Sequence, residues 1–122
     1  PMFQRMRNLF ALRNDGSVAA CIALCSGFNS DSALLRHEVA YVLGQMQNET
    51  AIPTLIQVLS DEDEHVMVRH EAAEALGAIG DRTALSVLEK FVDDDEVVIA
   101  ESCEVALDLL EWVASKRLDY SD

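Results

Sequence analysis

One nine-residue segment of this chain returns, little altered, 33 positions later. Arg36-His37-Glu38-Val39-Ala40-Tyr41-Val42-Leu43-Gly44 is answered by Arg69-His70-Glu71-Ala72-Ala73-Glu74-Ala75-Leu76-Gly77. Self-similarity at this interval marks an array of supersecondary units, because one such unit cannot bury its apolar face alone and must stack on its neighbours. Extending the alignment outward, Arg stands seven residues before Leu in Arg5–Leu12, Arg36–Leu43 and Arg69–Leu76, and Ala100–Leu107 keeps the spacing without the Arg. The period is therefore 31 to 33 residues. Shorter helical patterns fall between these segments, over Ser17–Phe28, Thr50–Leu59 and Arg82–Val92. The expected fold is all-α, a helical-repeat solenoid of stacked two-helix units forming a single domain over residues 1–122. The first unit contributes one helix alone, Met2–Asn14. With the opening on Pro1 rather than Met, this suggests a piece of a longer array.

Composition agrees with helix. Half of the residues are apolar, a quarter are charged, and only two Pro and five Gly interrupt the chain. Polar or acidic connectors precede the second helix of each unit: Asn29-Ser30-Asp31-Ser32, Asp61-Glu62-Asp63-Glu64 and Asp93-Asp94-Asp95-Glu96. Carboxylates there complement the helix dipole and are expected to cap free amides. Pro53 fits a first helical turn, where its missing N–H is harmless. Gly80-Asp81 fits a helix stop, and the matched Gly44 and Gly77 fit either close helix packing or helix ending.

A formal net charge of −13 disfavours nucleic acid and anionic membranes as partners and favours a basic one. No apolar run nears the roughly 20 residues needed to span a bilayer. Cys21, Cys25 and Cys103 follow no CxxC pattern. They read as small buried thiols in a reducing compartment, so a cytoplasmic location is expected.

The doubled His-Glu pair is the candidate site. Stacked repeats bring equivalent positions onto neighbouring helices about 8–10 Å apart. His37 and His70 are therefore expected at the same height near the helix starts, with Glu38 and Glu71 likewise beside one another. Neutral imidazole with carboxylate suits iron, and also manganese or zinc. The bland alternative is a solvated face with dipole-friendly glutamates. The outer repeats weaken it, since Arg5-Met6-Arg7 and Ala100-Glu101-Ser102 hold the same register without the pair. A zinc-protease H-E-x-x-H pattern fails, because positions 41 and 74 are Tyr and Glu. His65, just before the second pair, has no repeat counterpart and reads as a surface residue.

Longer stretches around the pairs resemble one family. Ser32-Ala33-Leu34-Leu35-Arg36-His37-Glu38-Val39-Ala40-Tyr41-Val42-Leu43-Gly44-Gln45 and Met67-Val68-Arg69-His70-Glu71-Ala72-Ala73-Glu74-Ala75-Leu76-Gly77-Ala78-Ile79-Gly80 closely resemble deoxyhypusine hydroxylase. Phe10-Ala11-Leu12-Arg13-Asn14 and Glu101-Ser102-Cys103-Glu104-Val105-Ala106-Leu107-Asp108 are similar to it as well. The resemblance implies HEAT-like repeats in two similar halves that together hold a di-iron centre. That centre uses O₂ to hydroxylate the deoxyhypusine side chain of a translation initiation factor. It further implies that His37, His70 and Glu71 ligate one Fe(II), with two irons per complete enzyme and one per chain. Glu38 would either join the metal ligands or act catalytically by contacting the substrate amine. Two His-Glu motifs account for one half, and Met2-Phe3-Gln4-Arg5-Met6-Arg7 favours the C-terminal half. Its partners would be the missing half or a second copy, since a cut array exposes an apolar face. The competing reading is a non-catalytic acidic repeat scaffold, or a bilin lyase-like repeat protein, that binds a basic partner.

Overall fold

The computed structural model describes the backbone of residues 1–121 and the side chains of residues 1–116. Seven α-helices follow in order among the described residues: α1 (Met2–Asp15), α2 (Val18–Cys25), α3 (Ala33–Met46), α4 (Ile52–Ser60), α5 (Val66–Ile79), α6 (Leu85–Phe91) and α7 (Val97–Ser121). Single 3-10 turns at Ser26–Asn29, Glu49–Ala51 and Arg82–Ala84 lead out of α2 and into α4 and α6. One layer stacks α1 on α3, α3 on α5 and α5 on α7. In the other, α4 packs on α5, α6 packs on α7, and α2 touches both α1 and α3. The units are thus α2–α3, α4–α5 and α6–α7, with α1 as the lone helix of an incomplete unit. No helix among the described residues is long and apolar enough to cross a membrane.

The core runs continuously through these units. Leu24, Val39, Leu43, Leu55, Leu59, Val68, Leu76, Leu88 and Ile99 are all fully buried in one cluster. Each such side chain contributes about 1.5–3 kcal/mol when removed from water. Cys21 and Cys103 belong to this core, Cys25 is half-buried beside it, and all three thiols are free. At the far end of the array, Val105, Leu109 and Trp112 recur along one exposed face of α7.

The connectors differ from expectation in an informative way. Side chains other than carboxylates cap α3 and α5: Ser32 accepts from the Leu35 amide at 3.2 Å, and the exposed His65 accepts through Nδ1 from the Met67 amide at 3.1 Å. Asp61 and Asp94 instead bend back on the amides of Asp63 and Glu96 within their own loops. Glu64 and the second oxygen of Asp94 serve the repeated arginines. Arg36 of α3 makes a two-pronged contact with Glu64, both bonds at 2.8 Å, while its third nitrogen donates to the Ser30 carbonyl. Arg69 of α5 donates to the Leu59 carbonyl at 2.9 Å, reaches Asp94 at 3.4 Å and stacks over Phe91. Each arginine therefore ties its own unit to the connector of the next. A guanidinium fork matches a carboxylate better than a helix end does.

Gly44 and Gly77 lie inside their helices and serve packing. A Cβ at Gly44 would stand 3.1 Å from Ala75 Cα, and one at Gly77 would stand 3.0 Å from Ala106 Cα. Their absence of a side chain lets α3 approach α5, and α5 approach α7, nearly backbone to backbone. The helix stop falls on Gly80, whose φ of 73° is the left-handed conformation that glycine adopts without strain.

Candidate metal centre

His37 and Glu38 occupy the second turn of α3, and His70 and Glu71 the second turn of α5. The glycine crossings set how these helices meet, and the contacts are staggered rather than like beside like. His37 Nε2 lies 2.9 Å from Glu71 Oε2, whereas its Nδ1 lies 3.5 Å from Glu38 Oε1. His70 Nε2 lies 3.3 Å from Glu74 Oε1, and its Nδ1 bonds the Ser102 hydroxyl of α7. At the glycine crossing Gly44 faces Ala75, and at the N-terminal end of the same crossing each imidazole reaches the glutamate position of the next helix.

One ring nitrogen of His70 and one oxygen from each of Glu71 and Glu74 lie within 4.8 Å of one another. Glu71 is buried, at 8% exposure, and it links this group to His37. Burial pushes its carboxyl above the usual range and the neighbouring Glu74 carboxylate pushes it further, while His37 and His70 pull it back. Two carboxylates held this close, one of them buried, destabilise each other's charge unless a proton or a cation sits between them. Imidazole nitrogens complete a set of nitrogen and oxygen donors suited to a divalent transition metal, and iron fits that set.

Sequence reasoning brought forward His37, Glu38, His70 and Glu71 but passed over two residues. Glu74 lies one turn beyond His70 and shares its face, yet in the sequence it stands out only as a departure from the zinc-protease pattern. Its i,i+4 spacing was the available signal. Ser102 sat in a segment singled out for lacking the pair, and nothing local marked it. Glu38 stands at the opposite ring nitrogen of His37 from Glu71. An open groove of about 520 Å³ runs from Glu71 and Glu74 between α3 and α5, past Ala40, Gly44, Tyr41 and Gln45.

Comparison with known proteins supplies the relationship. The HEAT-repeat family profile matches residues 22–108. Deoxyhypusine hydroxylase of Danio rerio is 52% identical over 122 residues, which cover 100% of this chain and 40% of that protein. The Arabidopsis thaliana enzyme is 58% identical over 116 residues, 95% of this chain and 37% of that protein. The solved structure of human deoxyhypusine hydroxylase in complex with glycerol superposes with a TM-score of 0.89 at 54% identity, covering 91% of this chain and 38% of that one. The chain thus spans about two-fifths of the length of these relatives. It belongs to the HEAT-repeat family and is similar, along essentially its whole length, to about two-fifths of deoxyhypusine hydroxylase.

Proposed function

We propose that this chain is one half, the C-terminal one, of a deoxyhypusine hydroxylase acting in the cytoplasm, and that it holds one of that enzyme's two irons. The observation that carries the reading is the converging set of His37, His70, Glu71 and Glu74 at one helix crossing, in a chain over half identical to such enzymes. His37, His70 and Glu71 would hold one Fe(II), and the other half, or a second copy, would hold its partner. Bound iron would supply the O₂ activation needed to hydroxylate one carbon of the deoxyhypusine side chain on a translation initiation factor.

This chain's own residues perform the remaining tasks. Arg36 and Arg69 fix α3 and α5, the helices that carry the two imidazoles, against their neighbouring segments. Buried Glu71 supplies a carboxylate whose charge a divalent cation would stabilise. Glu38, half-buried beside His37, is the acid available to pair with the substrate's ammonium group. The net charge of −13 attracts that cationic side chain and its basic surroundings. The exposed stripe of Val105, Leu109 and Trp112 is the kind of surface a missing half would cover.

The test is anaerobic Fe(II) titration of the chain and of His70→Ala, with bound iron and far-UV circular dichroism read on both. About one iron per chain is expected in the parent, with loss of that iron and retention of helicity in the variant. Undiminished iron in His70→Ala removes His70 from the ligand set. No iron in the parent, with retained binding of a basic partner, would favour the scaffold.

A further inference from the structure

We propose that Ser102 is a positioning residue that holds the proton of neutral His70 on Nδ1, so that in the neutral ring the Nε2 lone pair faces the Glu71–Glu74 cluster. The inference begins with the Ser102 hydroxyl, which has one proton and two lone pairs. Its Oγ lies 2.6 Å from the Val98 carbonyl, a group that can only accept, so the hydroxyl proton goes there. The same oxygen contacts His70 Nδ1. With its proton spent on Val98, Oγ must accept, and Nδ1 must therefore be the protonated nitrogen. The other ring nitrogen, Nε2, faces Glu74 at 3.3 Å.

The register of the array gives this arrangement its sense. Ala75 faces Gly44 and Ala106 faces Gly77, a shift of 31 positions, and the same shift carries Glu71 onto Ser102. The two interfaces are thus equivalent, and both place an imidazole against that position: His37 against Glu71, His70 against Ser102. The contacting atoms differ. His37 uses Nε2 against the carboxylate, whereas His70 uses Nδ1 against the hydroxyl, which turns its Nε2 back into the cluster. A carboxylate at position 102 would add a third negative charge near the buried Glu71 and the exposed Glu74. A serine satisfies the ring and adds none. Ser102 is itself 6% exposed, so water does not readily replace it.

The consequence for metal rests on the iron reading above, but the tautomer itself does not. Long-range 15N–1H correlation spectra of the metal-free chain, at a pH where imidazole is neutral, report which nitrogen of His70 carries the proton. Parent protein is expected to show predominantly Nδ1–H. Ser102→Ala should shift His70 toward the Nε2–H form and weaken Fe(II) and Co(II) binding by about 10–100-fold, the usual effect of losing such a supporting contact. Ser102→Thr, which keeps the hydroxyl, should retain both the tautomer and the affinity. Predominant Nε2–H in the parent, or an unchanged tautomer in Ser102→Ala, overturns the proposal whatever the metal does. A locked Nδ1–H tautomer in a parent that binds no metal would sustain the role of Ser102 while removing the iron reading.

Discussion

Replacing Gly77 with alanine sets two effects of opposite sign against each other, and the geometry decides between them. In an isolated helix the change is favourable by about 0.8–1 kcal/mol, because alanine has less backbone freedom to lose. Here the new Cβ would meet Ala106 Cβ at 2.9 Å, Ala106 Cα at 3.0 Å and Leu109 Cδ1 at 3.5 Å. Carbon pairs rest at about 3.5–4.0 Å, so α5 and α7 must part locally by roughly 0.5–1 Å. The exposed Leu109 can swing aside, but the Ala106 backbone cannot. Overpacking of this kind costs about 1–3 kcal/mol. The expected net result is a loss of about 1 kcal/mol, or a melting point lower by about 3–5 °C for a domain of this size. Gly44→Ala is the internal control. Its nearest contacts are 3.1 and 3.2 Å, so propensity and crowding should cancel to within about 0.5 kcal/mol. Thermal unfolding followed by circular dichroism reads both variants. A Gly77→Ala protein that melts at or above the parent would refute the claim that this glycine is required by the helix crossing.

Other perturbations test the ties between units. Arg69 is 4% exposed and serves both the Leu59 carbonyl and Asp94, so Arg69→Ala should cost about 2–4 kcal/mol in urea unfolding. A loss under about 1 kcal/mol would mean the arginine contributes little beyond its packing. Acid should act through Glu64. Burial raises its carboxyl, but the Arg36 hydrogen bonds and charge, with the His65 amide, outweigh this and hold it below the ordinary glutamate value of 4.5. A depressed native pKa stabilises the fold above the unfolded value, and the contribution disappears as pH falls through the native one. Glu64→Gln should therefore lower stability near neutral pH and flatten the decline below about pH 4.5. Equal acid sensitivity in parent and variant would assign that decline to other carboxylates.

The repeat, its period and the helices are legible in the order of residues alone. Such features depend on spacing along one chain, and the 3.6-residue turn converts spacing into faces. The same order also brought His37 and His70 forward, because a doubled polar pair stands out against an apolar background. Only the tertiary structure decided what each pair touches. In the stacked helices Gly44 lies against Ala75 and Gly77 against Ala106, while His37 meets Glu71 and His70 meets Ser102. Arg36 likewise found Glu64 rather than leaving that acid to cap a helix. The physical reason is that helix register depends on the closest approach of two backbones, a quantity summed over the whole crossing. No single residue carries that information, so Glu74 and Ser102 acquire their roles only once the helices are stacked.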